Sequence, residues 1–529
     1  MARRPTSNGT TPTTAQALGS LLKSARDIMR KDKGLNGDLD RLPMLTWIMF
    51  LKFLDDLEVQ REGMAKAKAE KFRAAIEPPY RWRDWAAKSD GITGDDLLAF
   101  INQDRDVRRP DGKKGPGLFA YLKSLTSTNG DKRRDVIATV FKGVQNRMID
   151  GYLLRDLLNK VDGIHFTASD ELHTLGSLYE SMLREMRDAA GDSGEFYTPR
   201  AVVRFMVKVT DPRLGEAVLD PASGTAGFLV EAFDHLRAQV KSVPDRKKLQ
   251  SGSLFGCEPK PLPFLLGQMN LLLHGLDAPE IDPGNSLRFK LAEIGEKERV
   301  DVILTNPPFG GEEQKGIQAN FPPDKQTSET ALLFLQLIMT KLKRKPSLKD
   351  RHGSRGLGSG PGPNARAAVV VPNGTLFGDG VCARIKEDLL KQFNLHTIVR
   401  LPNGVFAPYT SIPTNILFFD RSGPTESVWY YEQPLPEGRR GYTKTQPMQF
   451  DEFADCLAWW DKRVENERAW QVPAAELLAN GSNLDRKNPR AKVDIEHLPP
   501  EELVESIIKK EARIAELMAE IKSALGARA

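Results

Sequence analysis

The chain has 529 residues, with 76 Lys and Arg against 71 Asp and Glu, for a formal net charge of +5. With 40% hydrophobic and 28% charged residues it reads as globular, long enough for three or four folding units around a sizeable core. The apolar runs Leu45–Leu54 and Ala331–Met339 are far shorter than the roughly 18 residues a membrane span needs, and the N-terminus has no apolar secretory segment.

Cys257, Cys382 and Cys456 are scattered and form no CxxC pair, which excludes a disulfide framework or zinc ribbon and fits a reducing cytoplasm. No metal site is expected. The charge is too mild to name a nucleic-acid partner by itself.

In chain order, residues 1–15 are Thr/Pro/Gly-rich and expected to be disordered. Residues 16–165 predict a helical N-terminal domain. Leu45, Ile48, Leu51, Phe53, Leu54 and Leu57 recur at helical spacing, and turn clusters fall at Pro78–Pro79 and Arg109–Gly117. Residues 166–480 change character. A helix-like stretch at 172–186 leads into GDSGEFYTPR, and short apolar segments then alternate with amphipathic ones. Strands are expected at Ala217–Asp220, Leu254–Glu258, Asp301–Thr305, Ala367–Val371, Thr397–Leu401 and Asn415–Asp420. That alternation predicts an α/β fold with a mainly parallel sheet covered on both faces. The last two strands have no helix between them, so an antiparallel excursion is expected at one edge. Residues 481–529 are expected to end in a helix, Pro500–Leu525.

Residues 341–366 carry eight Lys and Arg against Asp350, with five glycines, and predict a mobile basic loop. A solvated insertion and a phosphate-tracking loop that orders on DNA are both open readings.

Three motifs carry chemistry. In AVLDPASGTAGF a strand ends at Asp220, and a helix starts near Ala226. Ser223, Gly224, Thr225, Ala226 and Gly227 strip away side-chain bulk, so a ligand can approach backbone N–H groups there; an ordinary tight turn is the bland reading. The turn is not the dinucleotide pattern, and no Walker A sequence occurs, which argues against an NTP-driven motor. Glu258, ending the next strand, is placed to accept from ribose hydroxyls. In DVILTNPPFGG, Pro307 and Pro308 stiffen the path after a strand and hold Asn306 with carbonyl acceptors facing one point. That suits a planar amino group, and Phe309 offers a face for a flat ring.

Together, Glu195-Phe196-Tyr197-Thr198-Pro199-Arg200, then Asp220-Pro221-Ala222-Ser223-Gly224-Thr225-Ala226-Gly227-Phe228, then Asn306-Pro307-Pro308-Phe309 resemble an amino-group DNA methyltransferase. Their order resembles the modification subunit of type I restriction–modification systems. Arg41–Glu58 and Asn483-Leu484-Asp485-Arg486-Lys487-Asn488-Pro489 are also similar to that family, so the likeness covers about Ala15 to Leu525.

The resemblance implies a Rossmann-like S-adenosylmethionine-dependent core that methylates adenine N6 in duplex DNA. Asn306 and the Pro307 carbonyl would accept from the amino group, and Phe309 would stack on a flipped adenine. Glu195–Arg200 and Thr225–Gly227 would hold the methionine part of the cofactor, Glu258 its ribose, and Asn285 would reach its adenine. Tyr197 is a second wall candidate or a packed aromatic. Glu195 stands where Gln is the expected form. No cysteine sits in a Pro-Cys setting, so cytosine-C5 methylation is excluded.

Ile507, Ile514 and Ile521 repeat every seven residues, with Leu503 and Leu517 at d, while Lys510 and Ala524 weaken the seam. A helix packed on its own chain is one reading. The family favours docking on a specificity subunit, with two copies of this chain per complex and room for a restriction–translocase subunit. Rival readings are methylation of protein glutamine, RNA guanine or DNA cytosine N4, and a non-catalytic assembly subunit.

Overall fold

The computed structural model describes residues 15–67, 69, 71–127, 132–164, 198–344, 364–407, 410, 412–443, 446–490 and 500–526. Glu195, Phe196 and Tyr197, the helix-like stretch at 172–186 and most of the basic loop 341–366 lie outside these residues. So do residues 1–14. The described residues form two compact units that divide between Arg486 and Lys487.

The larger unit begins with helices. Asp38–Ala67 is 30 residues long and buries Trp47, Phe50 and Phe53. Trp47 meets Phe119 edge-on at 5.1 Å, a preferred aromatic geometry. Helix Gly151–Asp162 is capped by Asp150, whose carboxylate accepts from the N–H groups of Tyr152 and Leu153. On that helix the buried Arg155 donates to the carbonyls of Trp85, Ala86, Lys88 and Ile92, so its charge is solvated by backbone dipoles. The turn cluster at Arg109–Gly117 lies in a small hairpin, β1 (Val107–Arg108) with β2 (Lys114–Gly115).

The remaining strands are β3 (Val218–Asp220), β4 (Leu254–Cys257), β5 (Glu280–Asp282), β6 (Val302–Thr305), β7 (Arg366–Pro372), β8 (Asn394–Arg400), β9 (Thr414–Asp420), β10 (Ser427–Glu432) and β11 (Ala469–Pro473). They form one sheet in the order β11-β10-β8-β9-β7-β6-β3-β4-β5. The six expected strands are all present. β5, β10 and β11 were not expected.

The antiparallel excursion is not at an edge. β9 lies between β7 and β8 and runs antiparallel to both. Its sequence, TNILFFD, buries six consecutive residues, which needs neighbours on both sides and cover on both faces. The antiparallel edge strand is β11, paired with β10.

Both faces of the sheet are covered. β7 sends Ala368 and Val370 into one apolar cluster, and Ala367, Val369 and Val371 into the other. The first cluster also contains the N-terminal helices, so the helical region and one face of the sheet share a core. From β3 the chain builds outward through β4 to β5, then crosses back to lay β6 and β7 on the other side of β3. The strand order therefore reverses between β3 and β6. Crevices at the carboxyl ends of such neighbouring strands are where open α/β sheets bind ligands.

The smaller unit contains the helix Pro500–Gly526, close to the expected span. Ile507, Ile514, Leu517 and Ile521 on it are exposed.

Candidate active site

A cavity of about 270 Å³ opens at this reversal point. Its first wall is the turn after β3. Gly224 and Ala226 both take left-handed backbone, with φ of 51° and 63°. For alanine that conformation carries strain, and it persists here because Ala226 is fully buried at the start of helix Gly227–Arg237. The Ser223 hydroxyl points away from solvent and donates to the Cys257 carbonyl at 3.2 Å. Gly256 on β4 allows this approach, because a Cβ there would fall 2.9 Å from Leu229 Cδ1 and 3.0 Å from Ser223 Oγ.

Two carboxylates stand at the tips of adjacent strands. Glu258 is buried and accepts from Gly224 N–H at 3.0 Å and Lys260 N–H at 2.8 Å, so it braces the turn as well as lining the cavity. Asp220 accepts from the Thr305 hydroxyl at 2.7 Å and Ala222 N–H at 3.1 Å. Burial pushes its carboxyl up to about 7; the Thr305 and Ala222 hydrogen bonds oppose that rise and the Glu258 charge adds to it.

The opposite wall is the loop after β6. Asn306 Nδ2 donates to Thr198 Oγ1 at 3.0 Å. Asn306 Oδ1 is buried and has no hydrogen-bond partner. A buried amide oxygen without a donor is costly, by about 1–3 kcal/mol, so this atom in the cavity wall stands as an acceptor for a donor outside the chain. Pro307 is buried, and Pro308 reaches the cavity. Phe309 is partly buried and meets Phe406 edge-on, with ring centres 5.7 Å apart.

Of the sequence-derived candidates, Thr198, Arg200, Asp220, Ser223, Gly224, Thr225, Gly227, Phe228, Glu258, Asn285, Asn306 and Pro308 line this one cavity. Pro199, Ala226, Pro307 and Phe309 stand behind or beside it. Arg200 ties two motifs together, donating from Nη1 to the Gly227 carbonyl at 3.0 Å. Asn285 caps a helical turn, with Oδ1 accepting from Leu287 N–H.

Sequence reading missed Phe406 and Asn270. Asn270, on helix Pro261–Leu273, is buried on the cavity wall and donates to the Thr225 carbonyl at 2.9 Å. Its only sequence signal is a polar residue inside the apolar run FLLGQMNLLL.

The sheet order, the small-residue turn and the stiffened Asn-Pro-Pro-Phe loop define a Rossmann-like methyltransferase core. Residues 170–348 and 360–497 match the N-6 DNA Methylase family model, and residues 18–161 match the HsdM N-terminal domain. The chain is 45% identical to the EcoEI type I restriction enzyme methylase subunit of Escherichia coli, over 97% of this chain and 98% of that one. A crystal structure of a modification subunit of a putative type I restriction enzyme from Vibrio vulnificus YJ016 superposes with a TM-score of 0.84. It shares 66% identity and covers 94% of this chain and all of that one. A chain from a structural study of type I restriction–modification assembly and conformational transition matches with a TM-score of 0.73 and 39% identity, over 98% of this chain and all of that one. The chain belongs to the N-6 DNA methylase family, among the type I restriction enzyme methylase subunits. It is an adenine-N6 DNA methyltransferase subunit.

Proposed function

We propose that the cavity binds S-adenosylmethionine and that Asn306 receives the amino group of an adenine flipped out of duplex DNA. One observation carries this reading: the buried, unpartnered Oδ1 of Asn306, held beside the small-residue turn. The cofactor's fit rests on the donor set. Gly224 and Gly227 leave backbone open, while Asp220 and Glu258 offer acceptors, and Glu258 a negative charge, to a cationic ligand bearing ribose hydroxyls. When bound, it supplies a methyl group on a sulfonium.

The protein's own part is positioning. Adenine N6 is a weak nucleophile because its lone pair is delocalised into the ring. Asn306 Oδ1, with the Pro307 carbonyl, accepts the two N6–H bonds and favours a pyramidal nitrogen with a localised lone pair. Asn306 is no base strong enough to take the proton before transfer. The excess proton leaves the product nitrogen afterwards. Phe309, backed by Phe406, offers a stacking face to the extruded base.

The chain would act with a specificity subunit, in a complex of two copies of this chain, where a restriction–translocase subunit can join. The family membership and the exposed isoleucines of helix Pro500–Gly526 support that assembly. Among the described residues no helix is long and apolar enough to cross a membrane, in keeping with work on DNA in the cytoplasm.

Transfer of labelled methyl to duplex DNA, with and without the specificity subunit, tests the proposal. Asn306→Ala should lower transfer by about 10²–10³-fold while cofactor binding persists. Full activity in that variant would overturn the mechanism.

A further inference from the structure

A second buried amide oxygen faces the same problem as that of Asn306. Asn270 is 1% exposed and lies on the cavity wall, and its Oδ1 has no hydrogen-bond partner. The orientation of its amide is not arbitrary. Nδ2 donates to the Thr225 carbonyl, which can only accept, so turning the amide over would set two acceptors against each other. Oδ1 is thus fixed as an acceptor awaiting a donor, and it is held against the turn Thr225–Gly227.

The surroundings select the kind of donor. Gly267, one turn earlier on the same helix, permits the contact: a Cβ there would lie 3.2 Å from the Gly224 carbonyl. Arg200 reaches the same turn from the other side, through Gly227. A neutral acceptor and a guanidinium on one small-residue turn complement the two charges of a zwitterionic α-amino acid. Glu258, by contrast, is an anion that suits hydroxyls and cations but repels a carboxylate.

Resting on the cofactor reading above, we infer that Asn270 binds the cofactor's amino-acid end, with Oδ1 accepting from its α-ammonium. Asn270 is a cofactor-binding residue outside the three motifs. It does not touch the base, and its contribution is to affinity and to the seating of the methionine moiety.

Calorimetric titration with S-adenosylhomocysteine and with its desamino analogue, using the chain assembled with its specificity subunit, decides the matter. In the unsubstituted protein, the desamino analogue should bind about 10–100-fold more weakly, as expected for loss of a charge-assisted hydrogen bond. Asn270→Ala should weaken S-adenosylhomocysteine about tenfold or more beyond any weakening of the desamino analogue.

Equal weakening of both ligands would show that Asn270 serves only to hold Thr225, and would overturn the inference. So would a wild-type protein that does not distinguish the two ligands. Should Asn270→Ala fail to fold, Asn270→Ser is put through the same cycle, with the same two outcomes. Absence of any S-adenosylhomocysteine binding to the wild type would instead sink the cofactor reading itself.

Discussion

Two loops cap neighbouring strands of one sheet, and they are made rigid by opposite means. The turn after β3 is rigid because it is buried: Gly224 and Ala226 sit in left-handed conformations held by surrounding structure, braced by Glu258 and Asn270. The loop after β6 is stiff through its own covalent chemistry, since Pro307 and Pro308 fix their φ angles. The first loop brings glycine backbone to the cavity wall and turns the Ser223 hydroxyl to the Cys257 carbonyl. The second brings the Asn306 amide to the cavity wall. A binding cradle can be assembled from backbone and its supports, whereas a catalytic acceptor has to be placed by rigid neighbours.

The strands beneath the loops are joined by the Thr305 hydroxyl donating to Asp220, and the burial of that carboxyl gives the largest expected effect. Asp220 holds its proton to a pH of about 7 in the folded chain, against an ordinary 3.8. Between those values the folded state binds the proton that the unfolded chain has released, so stability falls as pH rises, and it levels off above about 7. The separation of about three units corresponds to roughly 4 kcal/mol. Denaturant unfolding from pH 4 to 8 should show this decline. Asp220→Asn should flatten it and be the more stable form at pH 8. An unchanged slope would mean that Asp220 is not the group responsible.

The strain in the first loop gives a second prediction. Ala226→Val puts a β-branched residue at φ 63° in a fully buried position, and should destabilise the chain by about 3 kcal/mol in denaturant unfolding. Ala226→Gly should stay within about 1 kcal/mol of the parent. If valine is tolerated, burial is not what holds the turn.

The difference between the loops also governs what could be read from sequence. The ends of β3 and β6 were legible because apolar strands stop at Asp220 and Asn306, with turn chemistry directly after. β5 was not, because Glu280–Asp282 is three residues with a single apolar position, too short for alternation to register. β10 and β11 were hidden in an aromatic-rich stretch where strand and packed loop look alike. The interior place of β9 depends on pairing with β7 and β8, which no local pattern encodes. Asn270 was illegible for the same reason: within an apolar helix it reads as an interruption until Thr225 is seen beside it.

Thr198 ties one motif to another, and it sharpens the comparison most finely. Its place in Phe196-Tyr197-Thr198-Pro199-Arg200 suggests a cofactor contact, and it lines the cavity; its hydroxyl also accepts from Asn306, 108 positions further along the chain. With that acceptor, Nδ2 is engaged and Oδ1 is left to receive the amino group of the proposed substrate. Without it, the amide gains nothing from this orientation, and its reversal turns N–H groups toward the N–H groups it must receive. Thr198→Val should therefore lower the methyl-transfer rate constant by about 10–30-fold, the worth of one neutral hydrogen bond and the order it imposes, and leave S-adenosylhomocysteine affinity within about twofold. Thr198→Ser should recover most of the rate. Single-turnover kinetics at saturating cofactor separates this from the alternative. If the valine variant weakens cofactor binding tenfold while the saturated rate is unchanged, Thr198 belongs to the cradle and the second loop is positioned by its prolines alone.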